Sequence, residues 1–219
     1  MSNIWTVCDS MSEIALLNPS LLQVQLPSGS YTMGGSQDWY HDSWQKMSGC
    51  GPTTAAGMLW YLARSRPELS ELCHVGNADY DHFLTLMETM FQYITPTKLG
   101  VNSTGIFEDG ISRYSGDVGV PIRTRSLNIP RTMRAHLIID QVRQFLTEAF
   151  SADLPVAFLN LSHCSLKNLE NLHWVMLISL KPATMTAVMC DQGRTRQINL
   201  DEWLRTTLLG GGFVCLEPK

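Results

Sequence analysis

The hydrophobic pattern of the chain changes near residue 153. Before this point, apolar residues recur at helical spacing and predict two amphipathic faces, which are Phe83, Met87, Met90, Phe91, Ile94 and Ile138, Val142, Phe145, Ala149. After it, short β-rich runs follow one another, separated by turn residues: 156–159, 174–180, 185–190, 195–200 and 213–216. Helices followed by strands predict an α+β fold with an antiparallel sheet.

The domain organisation follows from this change of pattern. A chain of 219 residues can bury a large core, either as one domain or as two lobes that share a cleft. We expect a single domain over residues 1–219, with a helical lobe from about 40 to 152 and a β lobe from 153 to 219. Residues 1–40 are expected to pack on this domain as an N-terminal extension, and 201–204 to form a short helix.

A cysteine lies at the predicted start of a helix, in the run Ser48-Gly49-Cys50-Gly51-Pro52. Pro52 suits a first helical turn because its φ is pre-set and it lacks an N–H. The unpaired N–H groups and the dipole at a helix start favour a thiolate, which is the nucleophilic form of cysteine. The segment therefore predicts a nucleophile at Cys50, with a buried structural cysteine as the alternative.

A histidine and an aspartate follow far downstream. His173 begins an apolar β-like run, and Asp191 ends the next one, before the turn residues Gln192-Gly193. Two neighbouring antiparallel strands would bring both side chains together, and the carboxylate would then orient the imidazole. Taken alone, such a histidine is more often structural. A cysteine, a histidine and an aspartate in this order are typical of a thiol nucleophile with its base and orienter.

These motifs, Gln45…Cys50-Gly-Pro-Thr, His173-Trp-Val and Asp191-x-Gly, resemble the papain-like cysteine peptidase superfamily. The chain is most similar to the bacterial branch related to bacteriocin-leader-processing peptidases, which includes stand-alone members. The resemblance runs from about Gln45 to the C-terminus and includes residues 105–114 as a short helix with an aromatic turn. It implies a two-lobed fold, with the cysteine on the helical lobe and the histidine and aspartate on the sheet lobe.

Carried over by position, the resemblance makes Cys50 the nucleophile, His173 the general base and acid, and Asp191 the orienter. Gln45 becomes the side-chain donor of the oxyanion hole, beside the backbone N–H of Cys50. Gln45 lies one residue closer to the cysteine than the glutamine of papain does, so the alternative is an oxyanion hole made of backbone amides. The expected substrate-binding residues are Trp44, Gly49, Asn171 and Trp174, with core packing as the alternative for the two tryptophans.

Composition and charge narrow the partners. A formal charge of −4 and a pI near 5.8 argue against nucleic acid and anionic membranes as partners. No segment has the roughly 18 consecutive apolar residues of a membrane span, so the composition is typical of a soluble enzyme. We expect a peptide or protein substrate, whereas the sequence does not indicate an oligomeric state. The N-terminus lacks signal-peptide features, so we expect a cytoplasmic protein if Met1 is the native start, or a secreted one if a signal peptide has been removed.

The remaining candidate chemistry is weaker. The six cysteines are Cys8, Cys50, Cys73, Cys164, Cys190 and Cys215, and their spacing fits neither a zinc site nor an even disulfide framework once the nucleophile is set aside. Cys164, next to His163, is the alternative nucleophile, but no helix start follows it. The segments at His41-Asp42 and from His74 to His82 have no metal-ligand spacing, so we predict neither a metal nor a cofactor.

The sequence therefore predicts a cysteine peptidase that acts through a Cys-His-Asp triad and a thioester intermediate. If an amine rather than water resolves the thioester, the protein is an acyltransferase or transpeptidase, and the sequence does not choose between these outcomes. The alternative of another class is a catalytically silent papain-like module that binds a peptide in the same cleft.

Overall fold

The computed structural model describes residues 12–73, 77–131, 135–162 and 164–219. Its helices are α1 (Ser43–Ser48), α2 (Cys50–Ser65), α3 (Tyr80–Tyr93), α4 (Thr104–Asp117), α5 (Ala135–Ser151) and α6 (Leu200–Thr206). Its strands are β1 (Ile14–Ala15), β2 (Gln23–Gln25), β3 (Tyr31–Met33), β4 (Ile122–Ile129), β5 (Val156–Asn160), β6 (His173–Lys181), β7 (Thr186–Asp191), β8 (Arg194–Asn199) and β9 (Gly211–Pro218). Short 3-10 helices lie at Pro19–Leu22, Gln37–Trp39 and Pro67–Leu72.

The main sheet is antiparallel, with the strand order β4-β9-β5-β6-β7-β8. Strand β5 pairs with the first half of β6, and the two residues of β1 pair with Leu180 and Ser179 in its second half. Helices dominate the first part of the described chain and strands the second, so the predicted α+β class is confirmed. The helix that carries Cys50 packs on the sheet that carries His173 and Asp191.

Helix α2 lies against the centre of the sheet because its small and apolar residues are buried almost without interruption from Cys50 to Ala63. Gly57 allows close contact with the sheet, since a Cβ there would stand 3.3 Å from the Met176 methyl carbon. On the same side, the Trp174 ring stacks on Phe107 of α4 with their centroids 4.6 Å apart. The start of α2 is thereby fixed next to the beginning of β6.

Helices α5 and α6 supply aromatic contacts to another part of the sheet. Phe158 and Phe213 stack across β5 and β9 at 4.9 Å, and Trp203 of α6 meets Phe158 edge-on at 4.7 Å. Phe145 of α5 lies 6.3 Å from Phe213. Helices α2 and α5 pack against β6, and this strand is buried from its first position to its eighth.

Two elements within the residues of the predicted helical lobe contact the sheet. Strand β4, which the hydrophobic pattern did not indicate, pairs with β9 along its whole length. Helix α5 packs against β6 and β1. Of the expected N-terminal extension, residues 12–40 contact both regions, because β1 joins β6 and the 3-10 helix Pro19–Leu22 contacts α2. Residues 1–11, with Cys8, lie outside the described residues.

Candidate active site

Cys50 is the first residue of α2, and the backbone at this helix start is open. Gly49 occupies the N-cap position without a side-chain hydrogen bond, and Pro52 carries no N–H. The preceding helix α1 is capped separately by Asp42, whose Oδ1 accepts from the backbone N–H groups of Trp44 and Gln45 at 2.9 and 3.0 Å. Cys50 therefore lies at the positive end of the α2 dipole, where no capping side chain competes for the backbone N–H groups.

His173 and Asp191 form a buried pair at the ends of adjacent strands. The His173 Nε2 is 2.8 Å from Asp191 Oδ1, and each side chain is only 5% exposed. The pairing follows from the β6–β7 hairpin, which places the start of β6 beside the end of β7. Since Nε2 is held by Asp191, Nδ1 is the ring nitrogen left to interact with the Cys50 side chain, which lines the same cavity.

The protonation of His173 reflects this environment. Burial alone lowers the pKa of His173, but hydrogen bonds to Asp191 and to Cys50 outweigh it and raise the pKa to about 10. At neutral pH the ring is therefore an imidazolium, which the carboxylate stabilises on one side and a cysteine thiolate would stabilise on the other. A hydrogen-bonded imidazolium beside a sulfur nucleophile is the arrangement needed for acyl transfer.

Backbone strain flanks both members of the pair. Leu172, directly before His173, has φ of 51°, and Gln192, directly after Asp191, has φ of 50°. Side chains other than glycine, asparagine and aspartate rarely adopt this left-handed region, and strain of this kind concentrates at functional sites. The Leu172 conformation brings its carbonyl oxygen to 3.8 Å from the Cys50 Sγ, so the strained loop contacts the Cys50 side chain directly.

A segment from the N-terminal part closes the cavity next to the pair, which the sequence did not predict. The backbone N–H of Met33 donates to the Gly193 carbonyl at 2.9 Å, and the N–H of Gly193 donates to Gly35 at 3.0 Å. Ser36 Oγ donates to Gln192 Oε1 at 2.6 Å. Residues from three parts of the fold line the cavity: Met33, Gly34, Gly35, Gln37, Cys50, Thr53, Thr54, Gly57, His173, Trp174, Met176, Cys190, Asp191 and Gln192.

The sequence also missed Arg196 on β8. Its Nη1 lies 3.3 Å from Asp191 Oδ2, so the carboxylate contacts His173 with one oxygen and Arg196 with the other. The only available sequence signal was the position of Arg196 shortly after a predicted Gln192-Gly193 turn. Such a turn returns the chain alongside Asp191, but the register that decides which side chain arrives there is visible only in the fold.

The predicted oxyanion donor, Gln45, lies outside the cavity lining. Gln45 is half-buried on α1, but it is not among the described residues that line the cavity beside Cys50 and His173, whereas Gln37 is. The buried Oε1 of Gln37 has no hydrogen-bond partner in the described part of the chain. The role of Gln45 in an oxyanion hole therefore stays a prediction.

The four expected substrate-binding residues differ in exposure. Trp44 is 38% exposed on α1, and Asn171 is exposed in the turn before Leu172. Trp174 is 1% exposed and its Nε1 donates to the Val101 carbonyl at 2.6 Å, so its ring fills the core, the alternative considered for it. Gly49 is buried, and a Cβ there would stand 2.5 Å from the Gln45 carbonyl oxygen and press on the Tyr40 ring.

The other described cysteines are free thiols that are buried or, for Cys164, half-buried. Burial raises the pKa of Cys73, Cys190 and Cys215 to about 12, and burial also raises the pKa of Cys164. These groups stay protonated at neutral pH and are weak nucleophiles. His163 and His74 lie outside the described residues.

Within the described ranges, no group of three or more His, Cys, Asp or Glu side chains is arranged to hold a metal ion. A search of the same ranges finds no helix with the length and apolar character needed to cross a membrane.

Comparison with known proteins identifies no family. No protein-family model matches the chain, and no curated protein matches its sequence. Among solved structures, the chain is similar to the Pseudomonas avirulence protein AvrPphB, with a TM-score of 0.39 and 10% sequence identity over 84% of this chain and 96% of that chain. The functional assignment of the chain therefore depends on the chemistry of its described residues.

Proposed function

We propose that the protein is a cysteine peptidase in which Cys50 is the nucleophile, His173 the general base and acid, and Asp191 the orienting carboxylate. One observation carries this proposal: His173 is held at Nε2 by Asp191, 2.8 Å away, and lines the same cavity as Cys50 at the start of α2. A structural histidine needs no contact with a thiol at an uncapped helix start. The motif resemblance supports the same assignment.

In the proposed reaction, the proton of the Cys50 thiol already lies on Nδ1 of the His173 imidazolium, and the thiolate sulfur attacks the carbonyl carbon of a substrate peptide bond. The electron pair of the carbonyl moves to oxygen, which the first N–H groups of α2 and Gln45 stabilise. When the tetrahedral intermediate collapses, the C–N bond breaks and His173 gives its proton to the leaving amine. His173 then removes a proton from water, and the hydroxide adds to the Cys50 thioester. The C–S bond breaks and releases the carboxylic acid and the Cys50 thiolate beside the protonated His173.

The site assigns a task to each supporting group. Asp191 keeps the imidazole ring turned toward the sulfur and stabilises its positive charge. The uncapped start of α2 offers backbone donors where negative charge develops on the substrate oxygen. We propose that Trp44 and Asn171 contact the substrate from the two sides of the cleft, because both are exposed next to the elements that carry Cys50 and His173.

The finer assignment, to the branch related to bacteriocin-leader-processing peptidases, depends on the motif resemblance alone. It suggests that the substrate is a peptide precursor rather than a folded protein. A library of peptides with cleavage read by mass spectrometry would test this, and cleavage confined to short unfolded segments is the expected result.

The decisive experiment compares the purified protein with Cys50→Ala, using Cys164→Ala as the matched control. We expect new peptide termini with the unmodified chain and with Cys164→Ala, and none with Cys50→Ala. The assay is repeated with an added amine acceptor, since adducts of the acceptor would identify a transpeptidase. Peptide binding without turnover in any sample would identify the silent binding module and contradict the proposal.

A further inference from the structure

The Asp191 carboxylate is fixed at both oxygens. Oδ1 lies 2.8 Å from His173 Nε2, and Oδ2 lies 3.3 Å from Arg196 Nη1. The carboxylate is 5% exposed, whereas the Arg196 side chain is 37% exposed and reaches Asp191 from the solvent side. A carboxylate can rotate about its terminal bond, so two partners on different strands define its plane far better than one partner does.

The fold brings Arg196 to this place through a tight turn. Gln192 and Gly193 both have positive φ, 50° and 72°, which is the backbone of a two-residue hairpin turn. Strand β8 therefore returns directly alongside β7, with Arg194 opposite Asp191 and Arg196 opposite Met189. Arg196 is thus the diagonal cross-strand neighbour of Asp191, within reach of a long side chain.

We infer that Arg196 is a positioning residue, which holds the Asp191 carboxylate so that Oδ1 stays directed at His173. This inference rests on the proposed function, since it assigns Arg196 to the same site. It acts through Asp191 and does not touch the reacting atoms. The guanidinium also offsets the free-energy cost of burying the Asp191 carboxylate, because each oxygen of a buried carboxylate needs a charged partner or a hydrogen bond.

Among the described residues, Arg196 is the one cation that contacts Oδ2 of Asp191. The titratable or charged groups that face it are His173 on β6, Arg196 on β8, the neighbouring thiol of Cys190 and, beyond the imidazole, Cys50 on α2. Gln192 is engaged elsewhere, since its Oε1 accepts from Ser36. Arg194 lies on the same strand as Arg196, is exposed, and shows no ion pair to Asp191.

The first test is kinetic and compares Arg196→Met with the matched control Arg194→Met. Both remove one positive charge from the same strand. Because small misplacements of catalytic groups slow the chemical step, we expect Arg196→Met to lower kcat about 10-fold with little change in KM. Arg194→Met should keep the original kcat, and Arg196→Lys should recover most of the loss. Equal effects of Arg194→Met and Arg196→Met would contradict the inference.

The second test needs no turnover, and so it separates this inference from the proposed function. The titration of His173 is followed by NMR in Cys50→Ala, with and without Arg196→Met, and its signal is assigned by loss in His173→Gln. If Arg196 positions Asp191, removing it releases the carboxylate, and the pKa of His173 falls by about one unit or more toward its ordinary value. A rise in the pKa of His173 would show that Arg196 acts only through its charge, and an unchanged pKa would show that it has only a structural role. Either result would overturn the inference.

Discussion

Asn160 and His173 lie directly opposite each other on β5 and β6, and the Asn160 side chain holds the chain that leads to His173. Its Nδ2 donates to the Glu170 carbonyl at 2.6 Å, and its Oδ1 accepts from Trp203 Nε1 at 2.9 Å. Asn160 is fully buried. A single amide thus connects the loop before the histidine to helix α6.

Replacing Asn160 by alanine should destabilise the protein and impair the site together. The buried Trp203 indole would lose its partner, at about 1–3 kcal/mol for one buried unsatisfied group, and the Glu170 carbonyl would lose the bond that holds the loop. Urea unfolding measures the loss, and Asn168→Ala is the control because Asn168 makes a comparable bond, to the Gln197 carbonyl, at the surface. Equal stability of the two variants would contradict this role of Asn160.

Reaction with iodoacetamide at pH 7 should select Cys50 among the described cysteines. The thiols of Cys73, Cys190 and Cys215 stay protonated because burial raises their pKa to about 12. In His173→Ala, labelling of Cys50 should slow about 10-fold, since the proposed base beside the sulfur is removed. Peptide mapping identifies the labelled residue. Preferential labelling of Cys164 would revive the alternative nucleophile.

The stability of the protein should depend on pH through His173. Its pKa is raised from 6.5 in the unfolded chain to about 10 in the fold, so its stabilising contribution is complete below pH 6.5 and is lost as the pH rises through 10. Since one pH unit corresponds to about 1.4 kcal/mol, the loss across this window is on the order of 5 kcal/mol.

Unfolding by urea at pH 6.5 and pH 10, compared between the unmodified protein and His173→Gln, isolates this contribution. Other groups that titrate in the same window, such as tyrosines, cancel in the difference between the two proteins. The unmodified protein should lose more stability than the variant on going to pH 10. Parallel losses would mean that the folded protein does not favour the imidazolium.

The choice between Gln45 and backbone amides in the oxyanion hole can be tested with two glutamines. We expect Gln45→Ala to lower kcat about 10²-fold with little change in KM, because an oxyanion donor acts mainly in the transition state. Gln37→Ala is the control, since it removes the same amide from the cavity wall. If neither variant changes kcat, backbone donors alone stabilise the oxyanion. A larger effect of Gln37→Ala would transfer the role to Gln37.

We expect the packing between α1 and α2 to require glycine at position 49, because an added Cβ has no room there. Gly49→Ala would push a methyl group against the Gln45 carbonyl and the Tyr40 ring, and we expect a loss of about 1–3 kcal/mol in unfolding free energy. Gly116→Ala is the control, because no atom lies within 4 Å of its added Cβ. That variant should gain up to about 1 kcal/mol from the reduced entropy cost in a helix. Equal stability of both variants would contradict the packing role.

The sequence predicted what depends on local pattern. Cys50 at a helix start follows from the Gly-Pro signature, and the pairing of His173 with Asp191 follows from two adjacent β-like runs, whose hairpin geometry needs no distant information. The predicted apolar face of α5 is likewise buried, because residues 138, 142, 145 and 149 recur at helical spacing.

What depends on tertiary pairing could not be predicted in the same way. Strand β4 carries Arg123 and Arg125, whose charges meet Glu217 across the sheet, so its apolar content is too low to show a strand. Trp174 is buried because helices cover β6, which removes the polar alternation of a half-exposed strand. The contact of Arg196 with Asp191 depends on the register of β7 and β8, and the position of the N-terminal segment depends on long-range contacts. Neither leaves a periodic signal in the sequence.

The position of β9 has a consequence for biosynthesis. This strand follows every other one in chain order, yet it lies inside the sheet, between β4 and β5. While the ribosome has not yet released residues 211–218, β4 lacks its partner in the sheet, and β5, which ends beside His173, is unpaired on one side. The proposed peptidase site would therefore be complete only after translation has passed this strand, which separates the synthesis of the chain in time from the first cut expected of it.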